Sequence, residues 1–408
     1  MTESREFDVV LWGATGFTGR LVAEYLAATY TDTASLRWAI AGRNEDKLRQ
    51  LQTELSLGDD VGLITGDSHD AASLEAMAAR TSVVITTVGP YALYGSELVA
   101  ACVESGTHYC DLAGEAQWIR RMIDAHHERA AQTGARIVHC CGFDCVPMDL
   151  GVWFLQRESQ ARYGSFCASI RMLVKALKGG WSGGTMASAI NLMREAREDR
   201  EVMLALVNPY ALNPAGEREG PDSREQSDIR YDDDARSWTA PFIMALINKR
   251  IVHRSNALLG YPWGRGFRYD EAVMTGDGAG GRLKALSVGA GLGALMFGAS
   301  RAFTRRLLQR FALPEPGEGP SREQREAGFY VLQQTGKLAD GSIIRSRVSG
   351  DRDPGYGSTS KIIAECGVCL AKDELDTPGG VYTPASAMAA ALLPRLTQNA
   401  GLSFEIVD

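Results

Sequence analysis

The chain has 408 residues, of which 45% are hydrophobic and 23% charged, and it carries a net charge of −7. This composition is ordinary for a globular protein, and the acidic balance argues against a nucleic-acid-binding surface, which needs concentrated positive charge. A chain of this length exceeds one typical hydrophobic core, so we expect two domains.

The N-terminal residues and the cysteines both favour a cytoplasmic protein. Residues 2–6 are polar and are followed by a short apolar run, which is not the pattern of a signal peptide. The eight cysteines are few for the length and lie mostly in apolar runs. We therefore expect reduced, buried thiols.

The first strong pattern is a strand, a glycine-rich turn and a helix. Residues 8–12 are apolar and β-branched, and residues 20–26 place apolar side chains on one helical face. Between them lies Gly13-Ala-Thr-Gly-Phe-Thr-Gly19. This spacing gives a tight turn at Gly13, a close approach of backbone to phosphate at Gly16, and close packing of helix on strand at Gly19. It predicts a dinucleotide site that includes Thr15, Phe17 and Thr18.

A second strand, residues 36–41, ends at Gly42 and Arg43. NAD sites commonly carry an acidic residue here for the ribose 2′-hydroxyl, whereas an arginine suits a 2′-phosphate. Residues 41–44 contain no acid, so we expect NADPH rather than NADH, with a solvated turn residue as the alternative role of Arg43. Asp67, after a third strand over 61–65, is a candidate adenine contact or a strand-end cap.

Three further strands, over 82–88, 107–111 and 136–141, alternate with helices. The turn after the fourth strand contains Thr87, Gly89 and Pro90 and lies at the carboxyl edge of the sheet, where ligands bind in open α/β folds. Six strands and one glycine fingerprint predict a complete Rossmann domain, an α/β doubly wound parallel sheet, over 1–149.

Residues 150–408 have a different pattern, and we expect a second, α+β domain. Strands are predicted over 166–174, 267–274 and 402–407, with a hairpin of 328–336 and 342–349 around Ala339-Asp-Gly341. Helices are predicted over 186–197 and 359–371, residues 251–255 read as a helix end, and a last helix, about 384–397, is a candidate to pack back on the first domain. The polar residues 208–238 predict a long surface loop or partly ordered lid.

Residues 286–299 are apolar and glycine-rich, and Arg301, Arg305, Arg306 and Arg310 follow. A helix of this stretch reaches ~21 Å at ~1.5 Å per residue, short of the ~30 Å hydrocarbon core of a bilayer. A buried or inter-domain helix is one interpretation. The other is a peripheral contact of 286–310 with a membrane or a lipid substrate, which the basic residues favour.

Eight motifs together resemble the saccharopine dehydrogenase-like oxidoreductases and, more narrowly, the actinobacterial trans-acting enoyl reductases, which act on polyketide-derived lipids. They are the glycine turn of 13–19, Ala41-Gly-Arg43, Thr87-Val-Gly-Pro-Tyr91, Asp111-Leu-Ala-Gly-Glu115, Cys141-Gly-Phe-Asp-Cys-Val-Pro-Met-Asp-Leu-Gly151, Trp181-Ser-Gly-Gly-Thr185, Ile251-Val-His-Arg-Ser-Asn256 and Gly380-Val-Tyr-Thr-Pro384. The resemblance implies a Rossmann domain and an α+β domain on a mixed sheet, with the substrate between them.

Reduction of an enoyl group needs a hydride for the β-carbon, a donor to the enolate oxygen and a proton for the α-carbon. Tyr91 is a candidate proton donor or substrate-orienting group, or else a packing aromatic. Asp144 and Cys141 are further catalytic candidates, the resemblance placing Cys141 near the nicotinamide; an inert buried thiol is the alternative. Asp111 and Glu115 are candidates to bind ribose or substrate, or are helix caps.

Ser182, Gly183 and Thr185 precede a predicted helix and are candidates to bind a substrate carboxylate or a phosphopantetheine phosphate, or simply to cap that helix. Cys366 and Cys369 have CxxC spacing without a second pair, so we expect no metal site.

The residues predict an NADPH-dependent oxidoreductase, and the resemblance implies that it reduces a C=C bond in a lipid or polyketide intermediate. The substrate is expected to be a small molecule or a carrier-bound lipid, and a homodimer is a further expectation. A saccharopine-type C–N dehydrogenase and a lipid-associated protein that binds NADP(H) without turnover are the alternatives.

Overall fold

A computed structural model describes residues 5–179, 195, 199–300 and 319–407. The chain forms two compact units. The first contains the described residues within 5–146, 319 and 355–401, and the second those within 147–300, 320–354 and 402–407. The C-terminal part of the chain thus contributes to both units.

The strands of both units are numbered along the chain. They are β1 Phe7–Trp12, β2 Trp38–Gly42, β3 Gly62–Thr65, β4 Thr81–Thr86, β5 His108–Cys110, β6 Arg136–Val138, β7 Ser169–Lys178, β8 Arg230–Asp232, β9 Ser237–Ala240, β10 Arg268–Gly276, β11 Phe329–Lys337, β12 Ile343–Gly350, β13 Gly380–Tyr382 and β14 Leu402–Val407.

The helices are numbered in the same way. They are α1 Phe17–Thr29, α2 Glu45–Glu54, α3 Ala71–Ala79, α4 Tyr91–Tyr94, α5 Ser96–Glu104, α6 Ala116–Thr133, α7 Val146–Tyr163, α8 Arg200–Val207, α9 Ala245–Leu258, α10 Gly278–Ser300, α11 Arg322–Glu326, α12 Thr359–Lys372 and α13 Pro384–Gln398. A π-helical turn, Pro354–Ser358, precedes α12.

The first unit is built on a parallel sheet of seven strands in the order β13-β6-β5-β4-β1-β2-β3. Its central strands β1 and β4 are almost wholly buried and rich in valine, leucine and isoleucine, as expected of strands covered on both faces. The six predicted strands are confirmed, and the Rossmann domain with them. The seventh strand, β13, comes from the C-terminal part of the chain.

The segment 355–401 belongs to the first unit, where α12 packs on α1, β1 and β4. Its buried carboxylate, Glu365, accepts hydrogen bonds from the hydroxyls of Tyr25 at 2.7 Å and Tyr30 at 2.8 Å. Arg395 of α13 lies 3.5 Å from the same carboxylate. The sequence places α12 in the second domain and leaves only the last helix as a candidate for this packing. Nothing in the local pattern of α12 reveals a contact with residues about 340 positions earlier.

The second unit is built on a mixed sheet in the order β14-β12-β11-β7-β10-β9-β8, in which only the β7–β10 pair is parallel among the strands described. The predicted hairpin is confirmed: β11 and β12 pair antiparallel, and Gly341 takes φ +89° in the turn. The α+β character of this unit is therefore confirmed.

Two predictions for the second unit need correction. Residues 251–255 lie inside α9 rather than at a helix end. The polar segment 208–238 is not wholly a surface loop, because it contains β8 and buries Gln226. The amide of Gln226 hydrogen-bonds to Thr239 at 3.1 Å and to Arg171 at 2.7 Å, which makes the burial of a polar side chain possible.

The apolar stretch 286–299 is part of α10, and its described side chains are largely exposed: Leu286 is 49% and Val288 38% exposed. The prediction of a buried helix is therefore wrong for these side chains. Within the described residues, no helix combines the length and the apolar character that crossing a membrane requires. The predicted helix over 186–197 lies outside the described residues, except for Glu195.

Candidate cofactor and active site

The turn after β1 is shaped by two of its glycines. Gly13 takes φ +87°, a left-handed conformation that favours glycine. A Cβ at Gly19 would lie 2.1 Å from the carbonyl oxygen of Gly13, so only glycine lets α1 approach the turn this closely. Both roles expected from the spacing are confirmed geometrically.

The N-terminus of α1 is open to an anion. Its N-cap, Gly16, has no side chain to occupy the terminal amides, and the first turn contains no acidic residue. A Cβ at Gly16 would meet no described atom nearer than the carbonyl oxygen of Gly13, at 3.3 Å. The helix dipole and exposed amides therefore fit a phosphate here. Thr15 is exposed and Thr18 half-buried at this terminus, and their contacts with a cofactor remain predictions.

Arg43 follows β2 at the same edge of the sheet. Its side chain is exposed and makes no hydrogen bond or ion pair with any described residue. A guanidinium without a protein partner is available for a 2′-phosphate. Asp67, beyond β3, is exposed and accepts a hydrogen bond from the amide of His69 at 2.9 Å, the geometry of the turn cap that was the alternative to adenine contact.

The strand order reverses between β1 and β4, which opens a crevice at the carboxyl edge. Thr87 joins the two strands there: its amide donates to the carbonyl of Trp12 at 3.1 Å, and its hydroxyl to that of Gly13 at 3.4 Å. Gly89 and Pro90 continue the turn into α4. These three candidate cofactor residues therefore lie beside the glycine turn, as expected.

Sequence reasoning missed the neighbours that segment 355–401 supplies. The ring of Phe17 packs edge-on against Tyr356, with centroids 4.7 Å apart. The hydroxyl of Thr359 accepts a hydrogen bond from the amide of Phe143 at 3.0 Å. A signal was available in Gly355-Tyr-Gly357, which directly precedes the helix predicted over 359–371.

Tyr91 begins α4 and is 5% exposed. Its hydroxyl donates to the carbonyl of Thr86 at 3.2 Å and accepts from the amide of Leu112 at 3.1 Å. Burial and the nearby Asp111 raise the pKa of Tyr91 well above its usual range. The carboxylate of Glu115 accepts from the amide of Tyr91 at 2.8 Å. These contacts engage Tyr91 and Glu115 with backbone groups of the protein itself. Their proposed roles toward substrate remain predictions.

Asp111 is fully buried after β5. One carboxylate oxygen accepts from the amides of Ala113 and Cys140, each at 3.0 Å. The other accepts from the hydroxyl of Tyr109 at 3.0 Å and lies 2.7 Å from Nδ1 of His139. Four protein groups thus occupy this carboxylate, which holds together the ends of β5 and β6. Its contact with ribose remains a prediction.

Cys141 is fully buried beneath this edge. Burial raises the pKa of Cys141, but hydrogen bonds from the thiols of Cys110 and Cys366 outweigh burial and lower it to about 6. Burial raises the pKa values of Cys110 and Cys366. The eight cysteines are all free and buried. Cys141 has no surface to offer a ligand in this arrangement, and its catalytic role remains a prediction.

Asp144 lies in the turn between β6 and α7 and is half-buried. Its carboxyl makes no hydrogen bond or ion pair with a described side chain or amide, and burial raises its pKa to about 6. Cys140, just before this turn, takes φ +65°, which non-glycine residues rarely adopt. A carboxyl whose pKa is raised toward neutrality can act as a general acid in the molecules that carry the proton, a fraction that falls as the pH rises through about 6.

Ser182, Gly183 and Thr185 lie outside the described residues, so their role toward substrate remains a prediction. In the first unit, the open helix terminus and Arg43 fit the diphosphate and 2′-phosphate of NADP(H).

Residues 9–138 match the family model for the saccharopine dehydrogenase NADP-binding domain. This match covers the first six strands of the parallel sheet and the glycine turn. The glycine turn and Arg43 fit NADP(H), and the matching family model is that of an NADP-binding domain. Both therefore indicate NADP(H) as the cofactor.

Full-length relatives extend the match to both units. A Mycobacterium tuberculosis (strain H37Rv) protein named trans-acting enoyl reductase is 41% identical over 408 residues, covering 96% of each chain. The Mycobacterium leprae protein of the same name is 40% identical, covering 97% of this chain and 96% of the relative. Another protein of Mycobacterium tuberculosis (strain H37Rv), whose name assigns that activity provisionally, is 42% identical, with coverage of 98% and 97%.

Among solved structures, saccharopine dehydrogenase (L-Glu forming) from Saccharomyces cerevisiae superposes with a TM-score of 0.54 at 14% identity, covering 98% of this chain and 99% of that one. This likeness supports the two-domain fold. The chain is an NAD(P)H-dependent oxidoreductase that belongs to the saccharopine dehydrogenase-like family, together with the mycobacterial trans-acting enoyl reductases.

Proposed function

We propose that this protein is a trans-acting enoyl reductase that uses NADPH to reduce a C=C bond in an acyl thioester of a lipid or polyketide intermediate. The names of relatives at 40–42% identity support this reaction. The substrate is a small acyl thioester or an acyl chain attached to a carrier.

The proposal rests on one observation. The glycine turn that is expected to bind the cofactor and an acidic side chain, Asp144, lie at the same edge of the sheet. The glycine turn follows β1 and Asp144 follows β6, and both lie at the carboxyl edge of one parallel sheet. Asp144 is the candidate whose carboxyl has no hydrogen-bond or ion-pair partner among the described residues, and burial raises its pKa to about 6. Tyr91, by contrast, has its hydroxyl bonded to two backbone groups.

NADPH, when bound, supplies a hydride for the β-carbon of the enoyl group. The amides at the start of α1 hold its diphosphate, and Arg43 binds its 2′-phosphate. Asp144 then delivers its proton to the α-carbon, and the carboxylate regains a proton from water. The Asp111 network fixes the ends of β5 and β6, so that the turn bearing Asp144 keeps its position.

The second unit offers an apolar surface for the acyl chain. A groove of about 680 Å³ lies between β10 and α10. Val273, Met274, Leu283 and Val288 contribute its apolar wall, and Lys175 and Lys284 are its cations. A hydrocarbon chain bound there would cover apolar side chains that are otherwise exposed to solvent.

The same helix supports a proposal of peripheral membrane contact. Leu283 is 66% exposed, and the exposed Arg282 and Lys284 are its neighbours. An apolar face flanked by cations suits a bilayer with anionic lipids. In co-sedimentation with vesicles containing phosphatidylglycerol, Leu283→Gln should reduce binding. Equal binding of variant and parent would contradict this contact.

The expected homodimer remains a proposal that light scattering coupled to gel filtration can test. A mass near that of one chain across the working concentration range would overturn it.

The reaction is tested by screening NADPH oxidation against enoyl thioesters, cyclic imines and saccharopine. Consumption with enoyl thioesters alone supports the proposal. Consumption with saccharopine or an imine would assign a C–N dehydrogenase instead. Tight NADPH binding without consumption of any of them would leave a lipid-associated NADP(H)-binding protein.

A further inference from the structure

A polar cavity of about 800 Å³ lies within the second unit, apart from the apolar groove. Its walls come from the first residues of β7 and β10, the end of β11 and the segment 222–234, and Lys249 of α9 reaches into it. None of the roles assigned above uses this cavity.

Lys249 is the unusual residue of the cavity. Its side chain is only 4% exposed, yet its ammonium forms no hydrogen bond with any residue described. The nearest carboxylate oxygens belong to Asp270 at 3.6 Å and Asp222 at 3.7 Å, beyond hydrogen-bond distance. A buried ammonium has three donors to satisfy, and leaving them without acceptors is costly.

Asp270, the nearest acid, has a carboxylate oxygen that lacks a hydrogen-bond donor among the residues described. Its Oδ2 accepts from Arg171 and Arg230, each at 3.0 Å, whereas its buried Oδ1 has no hydrogen-bond partner within the described ranges. This Oδ1 is the atom 3.6 Å from the Lys249 ammonium. Because this oxygen is buried, a ligand in the cavity can reach only the ammonium, where a hydroxyl or amide oxygen would accept a hydrogen bond.

Most acids of the cavity already have hydrogen-bond or ion-pair partners within the chain. Asp222 accepts from Nε2 of His253 at 2.9 Å. Asp232 pairs with Arg171 and Asp234 with Lys337, each at 2.5 Å.

Two cations of the wall have no such counterpart. Arg224 and Arg268 line the cavity, are exposed, and make no side-chain hydrogen bond or ion pair within the part of the chain described. One carboxylate of the wall, that of Asp228, likewise has no cationic partner among the described residues. Within the described chain, the unpaired groups of the wall therefore include two cations and one anion. Free guanidinium groups are the preferred partners of phosphate and carboxylate because they bind two oxygens at once.

We propose that this cavity binds a phosphate ester whose chain carries a hydroxyl or amide group. The phosphate contacts Arg224 and Arg268, and the oxygen of the hydroxyl or amide accepts from the Lys249 ammonium. Such chemistry occurs in free polyol phosphates, which are monoesters, and in the phosphopantetheine arm of carrier-bound acyl thioesters, whose phosphate is a diester. The site is defined by the second unit alone and does not rest on the proposed reaction.

The test is titration calorimetry of the full chain without NADPH, using glycerol 3-phosphate, 4′-phosphopantetheine, pantetheine and inorganic phosphate. At least one of the first two should bind, and inorganic phosphate and pantetheine should bind more weakly. Preference for 4′-phosphopantetheine identifies the thioester arm as the source, and preference for glycerol 3-phosphate a free metabolite.

Two variants locate the site. Lys249→Met and Arg268→Ala should each raise Kd about tenfold, the loss expected for one charge-assisted hydrogen bond. Arg268 is exposed and unpaired, so its variant should keep the thermal midpoint of the parent even if Lys249→Met does not fold. Arg345→Ala, a strand arginine of the same sheet outside the cavity, is the matched control.

Absence of binding by both phosphate monoesters would overturn the proposal. So would equal affinity for inorganic phosphate, or a Kd in Arg268→Ala that equals that of Arg345→Ala.

Discussion

The carboxylate of Asp111 lies 2.7 Å from Nδ1 of His139, and both side chains are almost completely buried. Because the same carboxylate also accepts from two backbone amides and a tyrosine hydroxyl, an amide in its place would aim an N–H at a donor. We expect Asp111→Asn to lower the free energy of unfolding by about 3 kcal/mol, measured by urea denaturation.

Asp124→Asn is the control, since Asp124 is an exposed partner of Arg120 and its loss should cost less than about 0.5 kcal/mol. The experiment also decides between two roles of Asp111. If Asp111→Asn keeps its stability and loses affinity for NADPH, the carboxylate binds ribose rather than holding the strand ends.

Two glycines of the first turn should respond differently to alanine. At Gly19 the new Cβ would lie 2.1 Å from a carbonyl oxygen, so Gly19→Ala should lose about 1–3 kcal/mol of stability or fail to fold. At Gly16 the nearest atom is 3.3 Å away, so Gly16→Ala should fold. Its methyl group faces the expected diphosphate and should raise the Kd for NADPH about tenfold. Unaltered NADPH affinity in Gly16→Ala would remove the diphosphate from this helix terminus.

Arg43 should select between the two nicotinamide cofactors. Arg43→Ala should weaken NADPH binding about tenfold or more and leave NADH binding unchanged, because only NADPH has the 2′-phosphate. Arg49→Ala, which removes an exposed arginine paired with Glu45 on α2, is the control. Fluorescence titration with both cofactors measures the effect. An equal loss of NADH affinity would mean that Arg43 binds a part of the cofactor that NADPH and NADH share, rather than the 2′-phosphate.

Asp144 should control the pH dependence of turnover. The carboxyl must be protonated to act as an acid, and its pKa is raised to about 6, so kcat/KM should fall as the pH rises through about 6. Asp144→Asn should lower kcat about 100-fold and abolish this decline.

Tyr91→Phe provides the comparison for Asp144→Asn. The hydroxyl of Tyr91 bonds to backbone groups, so its loss should cost about 1 kcal/mol of stability and leave kcat nearly unchanged. The opposite pattern, with turnover abolished by Tyr91→Phe and retained in Asp144→Asn, would make Tyr91 the proton donor.

Local patterns were sufficient for the Rossmann domain. Alternating apolar strands and amphipathic helices, with Gly13, Gly16 and Gly19 at their spacing, encode β1, the turn and α1 within residues 7–29. The hairpin of β11 and β12 was equally accessible, because Gly341 marks its turn. Such features depend on neighbours in the sequence, and their predictions were correct.

Long-range contacts were not accessible in this way. The addition of β13 to the parallel sheet and the burial of Glu365 against Tyr25 join residues hundreds of positions apart. The exposure of α10 likewise depends on what packs against it rather than on its apolar composition. The distinction between Tyr91 and Asp144 also required the structure, since only hydrogen-bond partners show which group is already engaged.

The most direct test of the account is the transfer of deuterium from NADPH labelled at C4 to an enoyl thioester. The product, analysed by mass spectrometry and NMR, should carry one deuterium at the β-carbon and a solvent proton at the α-carbon, and the yield should fall in Asp144→Asn. Label that remains with the cofactor despite saturating NADPH, or that reaches only a C=N carbon, would contradict the account.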